Sequence, residues 1–143
     1  MSAEFSAETR LCNWLRSLLE AEAHSIVQLI PPSGQATFSI TYFCALEMKK
    51  KTVFPDLISV HKSIIFIGEV KEFFSEEDRE KLLRIERSED GISKIKNLVG
   101  RVKKMATDDF SVKFVLIHGD AKSKTTTEIS QMILLSPEEF IIR

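Results

Sequence analysis

The chain has 143 residues, is 43 % apolar and 29 % charged, and carries a formal net charge of −1. That composition suits a globular chain of one domain, residues 1–143, with its own core, and it excludes collagen-like, low-complexity and strongly polycationic chains. No apolar run reaches the roughly 18 residues that a membrane-spanning helix needs, so no membrane partner is expected.

The opening MSAEFSAETR has acids and no apolar stretch, unlike a secretory signal. Cys12 and Cys44 sit in apolar contexts without metal-ligand spacing. Reduced, buried thiols in an intracellular protein are expected, cytoplasmic with the nucleus left open. The charge is unevenly spread. Residues 72–90 hold eight acids and four bases, whereas residues 91–124 hold eight bases and three acids. Solvated helix faces account for such blocks in most chains.

In chain order, Ser6 is placed to cap a helix over 7–23, where Leu11, Trp14, Leu15, Leu18 and Leu19 recur at helical spacing. Ile26–Ile30 reads as a short strand and Pro31-Pro32-Ser33-Gly34 as a turn. Ala36–Leu46, rich in β-formers, reads as a strand, and Met48–Thr52, with three consecutive lysines, as a loop. Two apolar strands follow in FPDLISVHKSIIFIGEVK, residues 54–71.

Ser75 and Asp78 stand at capping spacing, so 75–87 reads as a charged helix. Gly91 is expected to break the chain before a second amphipathic helix marked by Ile92, Ile95, Leu98, Val99, Val102 and Met105. Val112–His118 and Ile129–Leu135 read as strands, with His118 in a surface role. Ser136-Pro137-Glu138-Glu139 carries the signature of a short C-terminal helical turn. The order points to an α/β fold: a mixed central sheet flanked by helices on both faces, with a parallel strand–helix–strand passage into Val112–His118.

A hairpin turning at Lys62-Ser63 opposes residues whose numbers sum to 125. His61 then faces Ile64, Ile58 faces Ile67, and Asp56 faces Glu69. Lys71, two residues on, shares the face of Glu69. Two opposed carboxylates repel unless a cation lies between them, and hard divalent cations prefer such oxygen donors. A one-residue slip at the turn would send the acids to opposite faces.

Pro55-Asp56, twelve residues, then Glu69-Val70-Lys71 resembles the signature of the PD-(D/E)XK nuclease superfamily, and the order of elements over about 7–118 is similar. The resemblance implies a restriction-endonuclease-like αβββαβ core, closest to small Holliday-junction-resolvase-like or restriction-like members. It implies a Mg2+- or Mn2+-dependent endonuclease that hydrolyses DNA phosphodiesters with a metal-activated water, and a homodimer. Asp56 and Glu69 look like the metal-binding carboxylates, the Val70 carbonyl a further ligand, and Lys71 the catalytic lysine. A further acid is implied on the first helix, where Glu8, near its start, is preferred to Glu20, near its end.

Lys49, Lys50 and Lys51 directly precede the motif strand and are candidate DNA contacts. So are Lys94, Lys96, Arg101, Lys103 and Lys104 on the second helix of the passage, for which a solvated face is an equal reading. Two further functions stay open: a metal-dependent nuclease acting on RNA, and a catalytically silent module of the same fold that binds partners through the acidic helix 75–87. No zinc spacing, P-loop or dinucleotide fingerprint occurs.

Overall fold

The computed structural model of the chain describes residues 7–30, 38–122 and 128–143. Helix α1 (Ala7–Ala21) buries Leu11, Cys12, Leu15 and Leu19 along one stripe, as its spacing predicts. The expected cap Ser6 and the Pro31–Gly34 turn lie outside the described residues.

Strand β1 (Ser25–Leu29) follows, then a hairpin of β2 (Ile40–Cys44) and β3 (Lys49–Val53). Next come β4 (Leu57–His61), β5 (Ile64–Val70), helices α2 (Glu76–Glu86) and α3 (Glu89–Lys103), and strands β6 (Ser111–His118), β7 (Ser130–Leu134) and β8 (Phe140–Ile142). No helix among the described residues is long and apolar enough to cross a membrane.

The main sheet runs β1-β4-β5-β6-β7-β8, and β2-β3 form a separate two-stranded ribbon. The β1–β4, β4–β5 and β7–β8 pairs are antiparallel, while β5–β6 and β6–β7 are parallel. The sheet is therefore mixed, and the passage from β5 to β6 is parallel, as expected. Helices cover both faces. Ile58, Val60, Ile65 and Ile67 pack with Leu82, Ile85, Ile95 and Val99 of α2 and α3. Leu57, Val70 and Ile117 pack with Leu11, Leu15 and Leu19 of α1 on the other face. Each fully buried aliphatic side chain contributes about 1.5–3 kcal/mol, so these two layers fix the sheet between its helices.

Several expectations are corrected. Lys49–Lys51 are not a loop but the body of β3, paired through Tyr42↔Lys51, Phe43↔Lys50 and Cys44↔Lys49. Apolar alternation is silent for a ribbon strand whose exposed positions are lysines, residues that natural sheets place on edges. β2 ends at Cys44, short of the expected Leu46, because the chain turns at 45–48, with Met48 at φ 52°, while residues 36–37 of the expected strand lie outside the described residues.

Gly91 does not break the chain. It lies in the first turn of α3, where its N–H donates to the capping Oγ of Ser88 at 2.9 Å. Two capped helices thus fill the β5–β6 passage where one charged and one apolar helix, divided at Gly91, are expected. A Cβ at Gly91 would come to 3.0 Å from the Ile85 carbonyl, so glycine suits the close join of α2 and α3, which would have to open by a few tenths of an ångström for any other residue.

Ser136 does accept from the N–H groups of Glu138 and Glu139, but the turn leads into strand β8 rather than a helix. β8 pairs with β7, and that pairing supplies partners for backbone that a single helical turn would leave open. His118 is not on the surface. It is buried, with Nδ1 accepting from the Asp120 N–H at 3.0 Å and Nε2 2.7 Å from Gln131 Oε1.

Candidate metal centre and adjoining basic cleft

The β4–β5 register is the one the hairpin predicts: His61↔Ile64, Val60↔Ile65, Ser59↔Phe66, Ile58↔Ile67 and Leu57↔Gly68. Lys62 adopts φ 56°, the left-handed backbone that a tight two-residue turn demands. The next positions along the ladder are Asp56 and Glu69. Their side chains share the face covered by α2, since they alternate in step with Ile58 and Ile67.

At this point the ladder changes partners. Val70 N–H would continue it to the Pro55 carbonyl. Instead, Val70 N–H donates to Asp56 Oδ2 at 2.9 Å, and the Pro55 carbonyl accepts from Gln28 Nε2 at 2.8 Å. The Asp56 carbonyl accepts from Ile30 N–H at 2.9 Å, so the aspartate is held from both neighbouring strands. The Val70 carbonyl points to the same edge as its N–H, where it faces a proline nitrogen that carries no hydrogen. The proline thereby leaves this oxygen directed at the Asp56 side without a ladder donor from Pro55.

Glu69 is 3 % exposed. Burial pushes its carboxyl up to about 8, and Asp56, within hydrogen-bonding reach, adds to the rise, while Lys81 of α2 opposes it. Lys81 Nζ forms an ion pair with Glu69 Oε1. Asp78, one turn earlier on α2, is 8 % exposed, and its Oδ2 has no hydrogen-bond partner among the described residues. Burial raises its carboxyl too, with Lys71 and Lys81 opposing and Asp56 reinforcing, so all four charges lie in one neighbourhood. Lys71 is exposed at the strand end, its N–H bonded to the Ile117 carbonyl at 3.0 Å.

Gly68 sets the position of Glu69 against β6. A Cβ there would approach the Val115 carbonyl to 3.0 Å and Ile117 Cδ1 to 2.9 Å. Glycine lets the two strands approach closely at the point where the acid is presented, and a larger residue would push the Val115 and Ile117 side chains aside.

Beside these acids lies an open cleft of about 480 Å³ between β3 and α2. Lys49, Lys50, Lys51, Lys81 and Arg84 line it, with Asp78 at the end near Glu69. Lys51 is also paired with Glu47. The structure thus places Lys49–Lys51 in a cleft shared with Lys81, the ion-pair partner of Glu69. It does not bring Lys94, Lys96, Lys103 or Lys104 there. Lys94 and Arg101 line a separate groove with Met105 and Thr107, Lys96 donates to the Asp108 carbonyl at 3.3 Å, and Lys104 terminates α3 in a left-handed conformation.

Glu8 and Glu20 are separated by the placement of α1. Cys12 Sγ contacts the Ile30 carbonyl at 3.5 Å, beside Asp56. The thiol, pushed up to about 12 mainly by burial, is raised further by both Asp56 and Glu8. The start of α1 therefore faces the motif, and Glu20, about 18 Å along the axis, lies at the far end. Cys12 stands near both Glu8 and Asp56, and Glu8 does not complete a cluster. Among the described residues, no group of three or more His, Cys, Asp or Glu side chains converges as a metal-holding set.

Asp78, Lys81, Arg84 and Gln28 are the site residues that sequence reasoning missed. Asp78, Leu82 and Ile85 recur at helical spacing and all are buried, which was a legible sign that Asp78 faces inward. Gln28 gave no sign, because its role depends on the β1–β4 register.

Comparisons with family models, with curated proteins and with solved structures return no match.

Proposed function

We propose that the chain is a divalent-cation-dependent DNA endonuclease of the PD-(D/E)XK type, built on a restriction-endonuclease-like core. The observation that carries this reading is the convergence of Asp56 and Glu69 at the ends of β4 and β5, with Lys71 two residues beyond Glu69 and acting on neighbouring Asp78. The order α1, β1, β4, β5, helices, β6 supports it, with β2–β3 as an insertion between the first two strands of the core.

The donors present fit Mg2+ or Mn2+. Two carboxylates and the Val70 carbonyl are hard oxygen ligands, and Mg2+ characteristically takes one or two carboxylates and fills its remaining positions with water and substrate phosphate. Glu69 strengthens the fit, because a buried carboxyl pressed against Asp56 gains most from an added positive charge. A bound cation would supply Lewis-acid stabilisation of a phosphodiester and a more acidic water.

The chain's own residues do the rest. Asp56, fixed through its backbone and Oδ2, orients the second carboxylate. Lys71 offers an ammonium to the phosphate oxygens as their charge grows. Lys49, Lys50, Lys51 and Arg84 hold the strand in the cleft through its phosphates, a sequence-independent contact. A homodimer would present two such centres to a duplex.

The test is cleavage of supercoiled, linear, single-stranded and four-way-junction DNA, alongside single-stranded RNA, with and without Mn2+. Mn2+-dependent DNA cleavage supports the reading. Cleavage of RNA alone moves the same chemistry to RNA. Cleavage of neither substrate favours the silent partner-binding module.

A further inference from the structure

Asp78 and Lys81 lie one turn apart on α2, yet only one of them is satisfied. Lys81 reaches across to β5 and pairs with Glu69. Asp78 is buried, and its Oδ2 has no hydrogen-bond partner among the described residues. An unpartnered buried carboxylate oxygen is costly and calls for a specific explanation. Two ammonium groups act on it, Lys71 at the end of β5 and Lys81 three residues along the same helix, and the helical spacing puts Lys81 within reach. That ammonium is directed at Glu69 instead.

Resting on the cation site above, we propose that Lys81 is a built-in counter-ion. It holds the cation's place on Glu69 and passes to Asp78 Oδ2 when a divalent cation takes Glu69. One ion pair breaks and another forms, so Lys81 keeps an acidic partner at both ends of the exchange, and Asp78 gains one when the cation binds. The Lys81 side chain is 32 % exposed and can change rotamer without opening the core. In the cation-bound state, Lys71 and Lys81 both flank Asp78 on the side of the cleft. Asp78 is then a positioning residue for the lysines, and its free oxygen is the vacant half of a two-position device.

The experiment measures Mn2+ binding by calorimetry to the full chain, to Lys81→Met, to Asp78→Asn and to the double variant. Lys81→Met removes the competitor and tightens Mn2+ binding on the order of tenfold. Asp78→Asn weakens it on the order of tenfold when Lys81 is present, as outer-shell changes do, but by less than about twofold in the Lys81→Met background. Should Asp78→Asn fail to fold, Asp78→Ser carries the same arms. Equal weakening in both backgrounds overturns the exchange and makes Asp78 a cation ligand in its own right, leaving the Asp56–Glu69 site intact. No Mn2+ binding to either the parent chain or Lys81→Met overturns the cation site and the exchange together.

Discussion

Asp56 Oδ2 accepts the backbone N–H of Val70 at 2.9 Å, in place of the strand bond that Pro55 would have received. The aspartate is thus part of the sheet as well as of the site. Its two roles can be separated. Asp56→Asn keeps an oxygen acceptor for Val70 and costs less than about 1 kcal/mol, while Asp56→Ala leaves the N–H unpaired and costs about 1–3 kcal/mol. Urea unfolding distinguishes them, and both variants lose Mn2+ binding. Equal destabilisation by the two would mean that the hydrogen bond contributes nothing.

Glu69 links cation binding to protons. Its carboxyl is pushed up to about 8 by burial and by Asp56, with Lys81 opposing, so near neutrality the Lys81-paired carboxylate is in equilibrium with a protonated form. A cation needs the carboxylate and therefore displaces the proton. Between about pH 6 and 8, Mn2+ affinity should rise roughly tenfold per unit and then level off. Calorimetry in buffers of different ionisation enthalpy should register about one proton released near pH 7. A flat affinity across that range contradicts the assignment.

The same group governs the stability of the cation-free protein. In the unfolded chain a glutamate loses its proton near pH 4.3, whereas folded Glu69 keeps it up to about 8. The folded state binds the extra proton in between, so its contribution is whole below the lower value and is lost as pH rises through the upper one. Glu69→Gln removes that pH dependence, and its melting temperature should exceed the parent's above pH 8. Parallel melting curves for the two proteins from acid to alkaline pH would remove the basis for this prediction.

The cleft lysines should carry nucleic-acid affinity, and the α3 lysines should not. Replacing Lys49, Lys50 and Lys51 by alanine should weaken DNA binding and lower the slope of log affinity against log salt by about 0.9 for each phosphate no longer neutralised. The matching Lys94, Lys96 and Lys103 triple should leave both unchanged, because none of those side chains lines the cleft of Lys49–Lys51. Fluorescence anisotropy across a salt series reads both quantities. An equal effect from the α3 set would place the binding surface elsewhere.

What the sequence revealed follows from which interactions are local. The hairpin register was legible because one turn position fixes every pair, but strands that are apolar on both faces left a one-residue slip open, and the paired strands show that it does not occur. β3 was not legible, since three lysines carry no apolar period and their partner strand lies across a turn. β8 was hidden behind a serine turn that makes the hydrogen bonds of a helix cap. Asp78 and Lys81 read as two members of a charged helix. Only the placement of α2 over the end of β5 shows that one is buried and the other reaches Glu69. Motif residues announce themselves along one hairpin, whereas their supporting charges arrive from an element that the chain places later.

The most direct test of the central claim is relaxation of supercoiled plasmid by the parent chain, Glu69→Gln and Lys71→Ala in Mg2+, with a chelator control. The account predicts cleavage by the parent alone, abolished by chelation, with both variants folded and inactive. Undiminished cleavage by either variant, or cleavage that persists with the cation removed, would contradict it.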